Sequence, residues 1–380
     1  MRARRTAAGS AVAVALLLAA CSGSDRTTLT TAAGSAPPPA AAPSAEAPTA
    51  SASGGSVAVA PAPATTPAAP TTKAATAKAK PATPAPAKPA PRVDLTPLRS
   101  GAGTSYATTV THRAGEEFGT GTVRLWLPDK IGSVRGVVVG GFFPGQPAAD
   151  PKPDVDLLQL ALKYHLAVVT QTYTHLAGTR DRREAYCDHG SARGMARGLT
   201  AIAGRAKHPE IGTAPLVVAY GYSLAGLCAK GIAETFPQRT AVLVYGGMSR
   251  VDCTKAGVPS VPTLVYGGGN DGFVENIPNE IGQCRAKGMP IAVALKPGAG
   301  HGVRGSSGMR DAYLDGVLAV RLPQQAGGAL RRIDVTTGYL ADNSSHAATA
   351  YNAFGGDRTR ASWLPTAASA AAWKAWTTSR

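Results

Sequence analysis

The chain has 380 residues, enough for two domains by length, but residues 31–92 are dominated by Ala, Pro, Ser, Thr and Lys and contain no aromatic residue. Such a stretch cannot bury enough apolar surface to offset the entropy of ordering, so one folding unit is expected, over 93–380. Lys and Arg number 39 against 23 Asp and Glu, and the first 92 residues hold nine of the basic and two of the acidic residues, which leaves the expected domain at +9; that excess is scattered, shows no nucleic-acid motif, and excludes a nucleic-acid partner as the leading reading.

In chain order, Arg2, Arg4 and Arg5 form a positive head, residues 11–18 an apolar core too short to span a bilayer, and Leu18-Ala19-Ala20-Cys21 the end of the segment. This end resembles the lipobox of bacterial lipoproteins, and the resemblance implies that Cys21 carries a lipid anchor. The rival reading is an ordinary secretory signal with a stray cysteine. Residues 1–21 are therefore expected to be a leader with its lipobox cysteine, and the protein to be extracytoplasmic and held at a membrane through Cys21. Residues 22–92 then form a semi-extended tether, because proline-rich chain favours polyproline II.

Short β-branched runs predict strands at 106–112, 122–127, 135–139, 166–172, 215–220, 240–245, 262–266 and 291–295. Helical stretches are expected at 154–164, 183–205, 224–236, 276–287 and 308–320. Two hairpin-like strands followed by alternating strand and helix describe an α/β fold, a mostly parallel eight-stranded sheet with helices on both faces.

The run Pro215-Leu-Val-Val-Ala-Tyr220 continues into Gly221-Tyr222-Ser223-Leu224-Ala225-Gly226 and then a helix. A serine becomes a useful nucleophile when a sharp strand-to-helix turn holds it among small neighbours at a helix N-terminus. Alanine at 225 departs mildly from the commoner glycine and bears on the tightness of the turn. Two later runs end likewise, one in Gly267-Gly268-Gly269-Asn270-Asp271 and one in Pro297-Gly298-Ala299-Gly300-His301-Gly302. Each sets one ionisable residue just past a strand's C-terminal end, where ligands gather in open α/β sheets. The chemistry asks for these types: His301 to take and return the serine proton, Asp271 to hold the imidazole in the right tautomer. Taken singly, Asp271 reads equally well as a turn aspartate and His301 as a surface residue. Asp252 is the rival acid. His175 is expected in a loop and His189 inside a helix, neither of them as a second base.

These motifs resemble the α/β-hydrolase family, within it the dienelactone-hydrolase-like and cutinase-like secreted esterases that lack a lid. The likeness covers about 134–320 and rests on Gly-Tyr-Ser-Leu-Ala-Gly, Gly-Asn-Asp and Gly-His-Gly. It implies a catalytic triad of Ser223, Asp271 and His301 and no cofactor; no Cys-x-x-Cys pair or His-Glu-x-x-His spacing occurs, so a metal site has no support. The likeness also implies an oxyanion hole formed by the Leu224 N–H and a donor from Gly140-Gly141-Phe142-Phe143-Pro144-Gly145, with Phe142 expected and Phe143 the alternative. The tail beyond 320, with Trp363, Trp373 and Trp376, is expected to pack on the core.

Four cysteines in an oxidising compartment suggest two disulfides, and three pairings are open. Helices on either side of the nucleophile strand should be neighbours, which pairs Cys187 with Cys228, and Cys253 and Cys284 flank the seventh strand. The alternative is four buried thiols. Only 246–261 separate the sixth and seventh strands, too few for a cap domain, so an open cleft is expected. The expected activity is cleavage of carboxylic esters through an acyl-enzyme, with short-acyl, polymer-borne or wall-borne substrates. The alternatives are an acyltransferase with the same triad and a non-catalytic wall-associated binding protein.

Overall fold

Valine-rich runs that are buried at every position form the centre of the molecule. In the computed structural model, β3 (Gly136–Val139) and β6 (Thr240–Gly246) expose no residue to solvent, as expected for parallel strands covered on both faces. The structure describes residue 98 and residues 102–140, 155–179, 183–218, 221–248, 251–274 and 277–379. The expected leader with Cys21, the tether, and Phe142 and Phe143 lie outside the described residues.

Around this centre run β1 (Gly103–Thr111), β2 (Thr120–Pro128), β4 (Leu166–Tyr173), β5 (Leu216–Val218), β7 (Thr263–Gly268) and β8 (Ile291–Lys296). The eight strands lie in the order β1-β2-β4-β3-β5-β6-β7-β8. β1, β2 and β4 pair antiparallel, and the pairs from β4 through β8 are all parallel. Alternate residues of the sheet feed two cores. On one face Val137, Val169, Leu243 and Val265 pack with α2 (Ser191–Ala206), α3 (Leu224–Thr235) and α4 (Ile277–Ala286). On the other, Val138, Val168, Val242 and Leu264 pack with α1 (Val155–Tyr164) and α5 (Ser307–Arg321). This is the α/β-hydrolase architecture that the resemblance implies.

The chain enters β3, crosses to β4 on one side and then to β5 on the other, so the strand order reverses around β3. The C-terminal ends of β3 and β5 therefore flank a topological switch point, the crevice where such sheets bind ligands.

One expectation needs correction. Residues 183–205 are not one helix: Arg183–Tyr186 makes a single 3-10 turn and α2 begins only at Ser191. Between them Cys187 (φ 59°) and Gly190 (φ 115°) leave the helical path. The detour seats the segment against α3 so closely that a Cβ on Gly231 would lie 1.9 Å from the Tyr186 carbonyl oxygen. Cys187 and His189 thus sit in a turn. The tail, in turn, is folded: β9 (Tyr339–Ala341), β10 (Ala348–Ala350) and β11 (Ser362–Leu364) form a small antiparallel sheet, followed by α6 (Ala367–Thr377). A capping box between Thr366 and Ser369 starts α6.

This tail packs on the core as expected, with Trp363, Trp373 and Trp376 buried. It also closes the edge of β8. The Val293 N–H donates to Ser362 Oγ at 2.9 Å, and the Val293 carbonyl accepts from Trp373 Nε1 at 2.6 Å. Side chains thereby occupy backbone groups that an edge strand would otherwise offer to another chain. Both expected disulfides are formed, Cys187–Cys228 with Cα atoms 4.7 Å apart and Cys253–Cys284 with 5.5 Å. Between β6 and β7 the described residues contain only a short 3-10 turn, Val258–Ser260, and no cap helix.

Candidate active site

Ser223 stands between β5 and the first residue of α3 with φ 57° and ψ −129°, a conformation that costs energy for any residue with a Cβ. The surrounding contacts hold it there. The Ser223 N–H donates to the Gly246 carbonyl at 2.8 Å, the Gly246 N–H donates to the Gly221 carbonyl at 2.8 Å, and the Gly226 N–H closes the turn on the Ser223 carbonyl at 2.8 Å. Position 221 must be glycine, because a Cβ there would lie 2.3 Å from the Ala225 carbonyl oxygen. Ala225 is 2 % exposed, so its methyl group fits where the commoner motif has glycine, and the turn is no looser for it.

Asp271 and His301 come from the loops after β7 and β8, the next strands but one and two from β5. Asp271 is 3 % exposed and uses both oxygens: Oδ2 lies 2.9 Å from His301 Nδ1, and Oδ1 accepts the Phe273 N–H at 3.1 Å. A carboxylate only accepts, so the proton of that first bond sits on Nδ1 and leaves Nε2 as an acceptor. Nε2 lies 2.9 Å from Ser223 Oγ. The three residues singled out from the sequence are thus joined in one hydrogen-bonded line.

Aromatic rings flank the imidazole. Tyr222 lies 5.5 Å and Phe273 5.2 Å from it between ring centres, the first tilted and the second edge-on. Burial, and then the charge of Asp271, pushes the Tyr222 phenol up to about 12, so it stays neutral. Tyr222 in turn packs on Tyr266, and Tyr266 on Trp376 of α6. The tail therefore reaches the floor beneath the site. The pattern of the motifs carries no signal for this support.

The Leu224 N–H, the first of α3, has no acceptor among the described residues. As an orphan donor at a helix N-terminus it favours negative charge beside Ser223 Oγ. The other candidates fall elsewhere. Asp252 Oδ1 accepts from the Thr254 N–H and hydroxyl at 2.9 and 2.6 Å and makes no contact with His301. His175 pairs with the buried Glu184 at 3.3 Å, and His189 lies 3.5 Å from both Glu117 and Asp188.

An alcohol on a strained turn, a base whose free nitrogen faces it and a buried acceptor behind that base can together move a proton off Ser223 and back onto a departing group. No family model and no curated sequence relative matches this chain. Among solved structures it is similar to a cold-adapted esterase from an Arctic intertidal metagenomic library, with 16 % identity over 61 % of this chain and 99 % of that one and a TM-score of 0.38. It is similar to the feruloyl esterase module from Clostridium thermocellum complexed with sinapinate, with 15 % identity over 61 % and 92 % and a TM-score of 0.35. A dipeptidyl aminopeptidase IV protein from Bacteroides ovatus gives 12 % identity over 57 % and 35 % and a TM-score of 0.38. Scores this low bear no weight for function, and the fold rests on the chain's own strand order and pairing.

Proposed function

We propose that this protein is a serine hydrolase that cleaves carboxylic esters through an acyl-enzyme. The observation that carries the reading is the line of two 2.9 Å hydrogen bonds from Asp271 through His301 to Ser223 Oγ at the start of α3. In the first half-reaction His301 Nε2 takes the Ser223 proton as Oγ attacks the ester carbonyl. The imidazolium, stabilised by Asp271, then returns that proton to the leaving alcohol oxygen. Water repeats the sequence on the acyl-enzyme and frees the acid. The Leu224 N–H is one oxyanion donor and Phe142 the expected second, each contributing about 3 kcal/mol to the transition state.

Two disulfides suit an oxidising compartment. No helix among the described residues is long and apolar enough to cross a membrane. We place the protein outside the cytoplasm, held by a lipid on Cys21 at the end of the tether, where it meets short-acyl or polymer-borne esters. The short link between β6 and β7 leaves no room for a cap domain, and a site without a cap gathers little of the roughly 0.8 kcal/mol that each enclosed methylene contributes. Rates on p-nitrophenyl esters are therefore expected to peak at short acyl chains; a peak at long chains, or a jump at the critical micelle concentration, contradicts this.

A further inference from the structure

Among the described residues, three large apolar side chains stand exposed, Tyr186, Phe273 and Val320, and Phe273 is the most exposed at 61 %. It alone of the three touches the triad, with its ring edge-on to His301. The loop does not require that side chain. What the turn uses is the N–H of residue 273, bonded to Asp271 Oδ1, and any residue but proline supplies it. The anchor is the next residue, Val274, which is 1 % exposed and packs against β7 at Gly267. The result is a phenyl ring left in solvent on a firmly seated loop, beside a base. What sets this ring apart from other exposed apolar side chains is its contact with His301, which puts it beside whatever group the base serves.

The chemistry of the proposed reaction says which half of the substrate meets it. After Oγ has attacked, the carbonyl oxygen turns toward the Leu224 N–H. The proton on His301 Nε2 must reach the oxygen of the C–O bond that breaks, so that oxygen, and the alcohol it carries, lies on the His301 side. The acyl carbon stays bonded to Ser223. We propose that Phe273 is a specificity-determining residue for the alcohol half of the ester, and that it selects alcohols carrying an aromatic or other flat apolar group that can lie against its ring. This deepens the esterase reading and rests on it.

The test exploits the shared acyl-enzyme. Benzyl and methyl propionate form the same acylated Ser223 and release alcohols of similar basicity, so they differ only in what passes Phe273. With the full chain, Phe273→Ala is expected to lower kcat/KM for the benzyl ester about tenfold, which is about 1.4 kcal/mol. The loss on the methyl ester should be several-fold smaller, so that the preference for benzyl over methyl falls. Phe273→Trp should keep the benzyl preference. The deacylation rate and the pH midpoint of kcat/KM should stay at the wild-type values, because neither depends on the alcohol. Equal losses on both esters, or a shifted midpoint, would mean that Phe273 only holds the His301 ring and would overturn the proposal. An unchanged benzyl ester rate in Phe273→Ala would overturn it too. Failure of the underlying reading looks different: wild-type chain that turns over neither ester sinks both.

Discussion

Replacing Asp271 by asparagine tests the hydrogen-bond line at its most constrained point. The buried carboxylate accepts twice, from His301 Nδ1 at 2.9 Å and from the Phe273 N–H at 3.1 Å. An amide has one acceptor and one donor end. If its oxygen keeps the Phe273 N–H, its NH2 faces Nδ1 and forces the imidazole proton onto Nε2. If the amide flips, two N–H groups oppose each other inside a 3 % exposed site, at a cost of about 1–3 kcal/mol. The first arrangement wins, and it leaves His301 in the tautomer that cannot accept the Ser223 proton. A wrong tautomer of this kind costs about 10⁴ in kcat, or about 5.5 kcal/mol. Initial rates on p-nitrophenyl acetate at pH 7.5 should show that loss while the melting temperature stays close to wild type. Asp271→Asn should do no better than Asp271→Ala, although it keeps the shape. A variant within tenfold of wild type would refute the tautomer argument and the role of Asp271 together.

Three further outcomes follow from the packing. The disulfides close 41- and 31-residue separations, for which the loss of unfolded-chain entropy amounts to about 4 kcal/mol each; peptide mapping without reduction should recover both bridges, and a reductant should lower the melting temperature. Burial opposes ionisation of Glu116, but two bonds from Arg197 at 2.6 and 2.7 Å, the Arg113 N–H and the charges of Arg197 and Arg193 outweigh it and hold the carboxyl below its usual range. A depressed carboxylate adds stability above its unfolded value of about 4.3 and loses it as pH falls through the lower folded value. Arg197→Leu should therefore cost about 2 kcal/mol at pH 7 in urea unfolding, with the difference from wild type narrowing below about pH 4. Ser362→Ala leaves the Val293 N–H on β8 without its acceptor and should cost about 1–3 kcal/mol in the same assay.

Much of this site is legible before folding. Ser223, Asp271 and His301 each stand where an apolar run ends among glycines, and a strand's end is where a parallel sheet presents side chains to a ligand. The pairing of Cys187 with Cys228 follows from helices that must lie side by side, even though Cys187 itself sits in a turn. That turn has a local signal in Asp188-His189-Gly190, where Gly190 takes φ 115°, but the run on either side hides it; the close approach of Tyr186 to Gly231, 45 residues away along the chain, has no local signal at all. The strands of the tail have three residues each, too few for any period to show. The two bonds that close β8 come from Ser362 and Trp373, side chains about 70 and 80 residues distant that no local pattern connects to Val293. Phe273 likewise reads as an ordinary loop residue until its exposure and its contact with His301 are seen together.

The central claim is that His301 activates Ser223, and covalent trapping measures it directly. Incubation of the folded chain with a fluorophosphonate, followed by intact mass and peptide mapping, should give one adduct, on Ser223. Ser223→Ala should abolish labelling and His301→Ala should slow it by orders of magnitude, with both variants melting as wild type does. No adduct on the folded wild-type chain, or an adduct at another residue that survives Ser223→Ala, would contradict the account.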